Sequence, residues 1–347
     1  MKQKSFFNLT VAVLSAFAVS GCAMSDRSDI PVTDAVAAGD YDTAITAADS
    51  VIADTGGDKL VYRAKGLALL GAGDFTAAVK AFTDALSFSN GIVGGADIDI
   101  SYYLAVAEYK SGDLEAAHST ISAILGLRED DDEAWFLLGK IDLAMGNKEA
   151  ALSDFDNTVR LAPTDYDRYV GIYEQLHARG YDEEAAAYLE KAISAGNKLG
   201  DYNKGVLEYY LGSYTDARND LENAKKSGNN ENLTIYLGRT YEALGDGGYA
   251  MSLYEEFIRE NPSAGRVYEQ LATCKVSMGD YEGALDTIET GLSLGGGEGA
   301  QGMMFDRIVA YERLYDFTSA KKYMEEYLKD YPDDEIAIRE NIFLGSR

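Results

Sequence analysis

The chain has 347 residues, a length that ordinarily holds two or three domains, and only four prolines, which suits a mostly helical fold. Its 46% hydrophobic content excludes a disordered chain. A net charge of −27 repels phosphate backbones and anionic headgroups, which argues against nucleic acid as a partner.

The N-terminal segment reads as a leader rather than as part of the fold. Lys2 and Lys4 precede a mostly apolar stretch from Phe6 to Val19, well short of the roughly 20 residues that a spanning helix needs. That pattern predicts a secretory signal peptide over 1–21. Its end, Val19-Ser20-Gly21-Cys22, resembles the lipobox of bacterial lipoproteins: an aliphatic residue, two small ones, then cysteine. The resemblance implies cleavage before Cys22, lipid attachment (diacylglyceryl and palmitate) at Cys22, and a place on the extracytoplasmic side of a membrane in the bacterial cell envelope. Two or more acyl chains, at roughly 0.8 kcal/mol per buried CH2, anchor a protein stably. Removing residues 1–21 deletes two lysines and no acids, so the charge becomes −29. Residues 22–29 are then a short tether. With Cys22 acylated, Cys274 is the one remaining thiol, and its apolar neighbours predict a buried hydrophobe rather than a nucleophile.

From residue 30 the chain is periodic. Ala44, Ala78, Ala117, Ala151, Ala185, Ala217, Ala250, Ala284 and Ala320 recur at intervals of 32 to 39 residues. Five residues before eight of them stands a glycine, and before the ninth stands Tyr315. A period near 34 predicts a helical solenoid. Residues 132–165 show the unit most clearly, with Trp135, Leu138, Gly139, Gly146, Ala151, Phe155 and Pro163. Trp135, Leu138 and Gly139 share one helix face. Gly146 ends the first helix in a left-handed turn, and Ala151 and Phe155 pack the second against it. These residues resemble the signature of the tetratricopeptide repeat (TPR) family, and the likeness runs from about residue 25 to 332. It implies an all-α fold: about nine helix-turn-helix units over 30–332 in a right-handed superhelix. A closing helix is expected over 333–347, its Ile336, Ile338, Ile342 and Phe343 covering the last exposed face.

Two glycine-rich stretches interrupt the register, near Asn90–Gly95 and at Gly295–Gly297. Gly297, Gly299 and Gly302 match G-x-G-x-x-G in form, but a dinucleotide site needs a preceding strand and here a helix precedes it. The acids from Glu129 to Glu133 lack calcium-loop spacing and suit a helix N-terminus instead. His118 and His177 have no metal-binding spacing, and no nucleophile–base constellation is visible. Neither a cofactor nor catalysis is expected.

In TPR proteins the first helix of each unit lines a concave groove, which the resemblance maps onto this chain. Tyr102, Val106, Tyr109 and Lys110 come first, then Phe136, Lys140 and Leu143, then Val170, Glu174 and His177. Tyr202, Val206, Tyr209 and Tyr210 follow, and then Ile235 and Arg239. An aromatic and aliphatic groove with scattered basic residues implies protein or peptide partners. The expected function is a membrane-anchored scaffold for other envelope proteins. The alternatives are an accessory lipoprotein of a secretion or envelope-assembly complex and a subunit of a cell-wall enzyme.

Overall fold

The computed structural model describes residues 30–195, 199–295, 297, 299–332 and 334–347. The expected leader and tether, Cys22 included, lie outside the described residues. The described residues form nineteen α-helices and no strand, so the all-α expectation holds. In chain order the helices alternate as first and second helices of nine repeats, α1 (Ile30–Ala37) and α2 (Tyr41–Thr55) through α17 (Ala300–Arg313) and α18 (Phe317–Asp330), with α19 (Glu335–Leu344) left over. They group into two compact bodies. The N-terminal body holds α1 to α8 and residues 174–180; the C-terminal body holds residues 169–173 and α10 to α19.

The repeat register has a local cause. All eight register glycines take φ between 74° and 88°, the left-handed region where a Cβ is penalised. At Gly146 this ends α7 (Asp132–Met145), and the next N–H, from Asn147, turns back to the Asp142 carbonyl at 2.8 Å. The following residue then starts the second helix. Asp74, Asp113, Asp246, Asp280 and Asp316 each accept the N–H three residues on. One junction departs: Tyr315 occupies the left-handed region at φ 61° and is 82% exposed.

Packing explains the alanines and the small residues opposite them. All nine register alanines are wholly buried. A Cβ added to Gly139 would lie 2.6 Å from the Phe155 ring, and one on Gly66 2.5 Å from Phe82. The missing side chain on the first helix is therefore the socket for a large one sixteen residues later. Burying a Phe of this kind contributes roughly 1.5–3 kcal/mol, and a β-carbon in the socket would push it out.

Other expectations have definite outcomes. Asp131 caps α7, accepting from Ala134 N, and Asp132 and Glu133 fill its first turn. Cys274 is 1% exposed, and burial pushes its thiol up to about 12. Helix α16 (Tyr281–Leu292) precedes the G-x-G-x-x-G match, so no strand leads into it. The closing helix needs correction. Ala337 and Leu344 are its buried residues, whereas Ile336, Ile338, Ile342 and Phe343 are 40–72% exposed. A ten-residue helix presents one stripe to its neighbour, and positions 337 and 344 occupy that stripe.

Candidate protein-binding site

Each body is described by itself. In the N-terminal body the expected residues come from α5 (Gly95–Ser111), α7 and the end of α9 (Tyr166–His177). Lys140 is the centre. Its side chain is only 6% exposed, and its ammonium lies 5.7 Å from the ring centroids of both Tyr109 and Phe136. Burial, reinforced by the Lys110 charge, pulls the amine down to about 8; Arg168 and Arg179 add to the repulsion and Glu133 opposes it. Phe136 carries a second cation, the Arg168 guanidinium 4.6 Å from its centroid. Arg168 also pairs with Glu133 and lies 3.9 Å from Asp132, while its buried Nε makes no hydrogen bond and sits 3.8 Å from Asp165 Oδ2. Arg179 Nε donates to the Leu143 carbonyl at 3.1 Å, placing a cation at the negative end of α7. Lys110 is exposed in the last turn of α5. Lys140 thus bridges two aromatic rings with the charges of Lys110, Arg168 and Arg179 about it, in a strongly acidic chain.

The remaining expected residues of this body divide. Tyr102 has a buried hydroxyl beside Asp131, and its phenol is raised mainly by burial. Val106 and Tyr109 are half-buried, and His177 is exposed. Leu143 is 4% exposed and packs in the core, so it presents no binding surface.

In the C-terminal body, α11 (Asp201–Tyr210) and α13 (Glu231–Ala243) build a tyrosine cluster. Tyr209 contacts Tyr210, Tyr214 and Tyr236 with centroids 5.6–5.9 Å apart, and Tyr173 meets Tyr210 at 5.4 Å. Tyr202 reaches Tyr236 at 6.4 Å. Such pairs contribute about 0.5–1.5 kcal/mol each beyond their buried area. Arg239 sits among Tyr209, Tyr236, Tyr254 and Tyr210 and donates from Nε to Gln270 Oε1 at 2.7 Å. Val206 is 5% exposed and packs inside, as do Val170 and Ile235. This surface continues into acids. Glu269 is held above the usual carboxylate range by burial, and Asp306 is pushed up to about 6 by the same cause, although Thr273 Oγ1 donates to its Oδ2 at 2.6 Å.

Sequence reasoning missed Arg168, Arg179, Tyr173, Tyr236, Glu269 and Asp306. Two signals existed. Tyr236 sits one residue beyond the mapped position 235, on the flank of the same helix face. Glu269 occupies the mapped register one repeat further on, ten residues before Gly279. Among the described residues, no group of three or more His, Cys, Asp or Glu side chains is placed to hold a metal ion. No described helix is long and apolar enough to cross a membrane.

Tetratricopeptide repeat models match residues 32–91, 69–141, 132–165 and 304–334. No curated protein sequence matches the chain. Among solved structures, yeast Tom70 is similar over 87% of this chain and 77% of its own, at 15% identity and a TM-score of 0.50. A tetratricopeptide repeat protein from Parabacteroides merdae aligns over 82% of this chain and 97% of its own, at 16% identity and 0.46. MamA from Desulfovibrio magneticus covers 51% of this chain and 100% of its own, at 18% identity and 0.42. At these identities the likeness speaks to the fold alone. Repeat models over residues 32–165 and 304–334, helix pairs with left-handed glycine junctions and buried register alanines agree: the chain is a tetratricopeptide repeat protein.

Proposed function

We propose that the chain is a non-enzymatic scaffold, tethered through a lipid at Cys22 to the extracytoplasmic face of a bacterial membrane, which binds acidic segments of other envelope proteins. The repeat fold is a protein-interaction fold in general. The observation that carries the finer reading is Lys140, held against the Phe136 and Tyr109 rings with the charges of Lys110, Arg168 and Arg179 about it. Holding Lys140 buried against like charges opposes folding, and an arriving carboxylate relieves it. A segment combining acidic and apolar residues matches both the cations and the ring faces, with charge-assisted hydrogen bonds in a partly desolvated site.

Support for the tether is the ordered succession of Lys2 and Lys4, the apolar run to Val19, and the lipobox-like end at Cys22. Two experiments test the two parts separately. Labelled palmitate should enter the wild-type chain in a bacterial host and be absent from Cys22→Ser; equal labelling removes the anchor. For binding, an array of acidic peptides is probed with the full chain carrying Cys22→Ser. Adding Lys110→Glu and Lys140→Met should weaken the best peptides at least tenfold, and raising the salt should weaken them further. Affinity unchanged by both substitutions and salt rejects the site.

A further inference from the structure

Three buried carboxylate oxygens receive no hydrogen bond: Asp154 Oδ2, Glu208 Oε2 and Glu312 Oε1. Each belongs to an acid whose neighbour is a second acid, Asp142, Asp220 and Glu340 respectively. Ionised carboxylates only accept, so no such pair can form a hydrogen bond unless a proton is shared.

The repeat register shows what the position requires. Asp142 and Glu208 stand four residues before Gly146 and Gly212, and each faces the residue twelve positions on, in the second helix. Other repeats bridge the same two helices at the same positions with a donor and an acceptor. Thr120 Oγ1 donates to Glu108 Oε2 at 2.8 Å, and Lys275 Nζ donates to Thr287 Oγ1 at 3.0 Å. In the Asp142–Asp154 and Glu208–Asp220 repeats both partners are acceptors. For Asp154 Oδ2, and for the Glu208 Oε2 that Lys204 does not reach, the missing donor is a proton. The third pair lies outside this register and joins α17 to the closing helix α19, 28 residues on.

We propose that each of the three carboxyl pairs, Asp142–Asp154, Glu208–Asp220 and Glu312–Glu340, holds one shared proton in the folded chain, so that the repeats are fastened more tightly in mildly acidic surroundings than in alkaline ones.

The charged surroundings of each pair are specific. His118 on α6 (Leu114–Leu127) places Nε2 3.9 Å from Asp142 Oδ1, and Asn147 Nδ2 donates to the same oxygen at 3.1 Å, whereas Asp154 Oδ2 receives no hydrogen bond and burial raises the Asp154 carboxyl. Asp154 is then the protonated member. Lys204 spans the second pair, 3.3 Å from Glu208 Oε1 and 2.6 Å from Asp220 Oδ2, but leaves Glu208 Oε2 without a donor. Arg313, on the same helix as Glu312, partly offsets the repulsion from Glu340. Burial first and the neighbouring carboxyl second push Asp154, Glu208 and Glu312 up to about 7.

The sign follows from proton linkage. An unfolded carboxyl releases its proton near pH 4, whereas these folded ones hold theirs to about 7. Over that interval the folded state binds more protons, so stability falls as pH rises and levels off above it.

The test uses the full chain carrying Cys22→Ser, with and without Asp154→Asn, Glu208→Gln and Glu312→Gln. A side-chain amide supplies the donor that the proton supplies in the wild type. Denaturation midpoints are measured from pH 5 to pH 9. The wild type should lose stability toward pH 7.5, each amide should remove about one proton from the slope, and the triple variant should exceed the wild type at pH 8. Glu190→Gln, at an exposed carboxylate, should leave the slope intact. If an amide variant fails to fold, carbon-13 carboxyl titration of the wild type decides by itself. Asp154, Glu208 and Glu312, assigned individually and set apart from Asp306 near 6, titrating near neutrality support the proposal. None doing so, or a triple variant with the wild-type slope, overturns it.

Discussion

The two candidate faces occupy the same register of the repeat and carry opposite chemistry. In the N-terminal body, Lys110, Arg168 and Arg179 bring their charges to Lys140, whose ammonium lies against Phe136 and Tyr109. In the C-terminal body, Arg239 is enclosed by tyrosines, and the surface runs on to the raised carboxyls of Glu269 and Asp306. The helix frame beneath is the same in both. A repeat scaffold therefore separates the residues that make the fold from those that select a partner, and charge can be changed on one face without rebuilding the other.

The largest effect tests the shared frame. Phe155→Ala in one body and Tyr254→Ala in the other should each cost about 3–5 kcal/mol by denaturant unfolding, because both rings fill a glycine socket. Unequal costs, one near zero, would break the premise that the bodies rest on one design.

Next comes the acidic face. Asp306→Asn should stabilise by roughly 2–3 kcal/mol at pH 7, since burial raises this carboxyl to about 6. Its folded state holds a proton longer than the unfolded chain, so the wild type loses stability between about pH 4 and 6 and the variant does not. A pH-independent difference between the two proteins would show that the gain has another origin.

On the basic face the linkage runs the other way. Lys140 has a depressed amine, so the folded state releases its proton first and stability rises as pH climbs from about 8 toward the ordinary lysine value near 10.5. Lys140→Met should abolish that rise and stabilise by about 1–2 kcal/mol at pH 7, while weakening acidic peptides. Stability and binding moving in the same direction would contradict a site strained for function. The smallest effect is a control outside both faces. Tyr315→Gly should gain about 1 kcal/mol in thermal unfolding by relieving the left-handed backbone, with peptide binding unchanged.

Much of the frame was legible residue by residue. Gly146 predicted a left-handed helix end, Ala151 a close contact, and Phe155 its filler, because each is a local requirement with few substitutes. The candidate site was legible only in part. The mapped register found Lys140, Phe136, Tyr109 and Arg239, of which Lys140 and Phe136 are themselves buried, and it also named Leu143 and Val206, which pack in the core. A one-residue step on a helix turns a side chain by about 100°, so a mapped position alone does not say which side of the groove it meets. The closing helix shows the same limit, since its isoleucines face away from α18.

What the sequence by itself determined was the repeat: the period, the junctions and the helix faces, all set by contacts within some twenty residues. The tertiary structure decided the electrostatics. Arg168 meets Glu133, Arg179 meets Leu143, Arg239 meets Gln270 and Thr273 meets Asp306, pairs separated by 31–36 residues. That spacing is one repeat, so these partners meet only when neighbouring repeats stack. Which charges are buried, and which protons they keep, follows from the stacking and not from any one repeat.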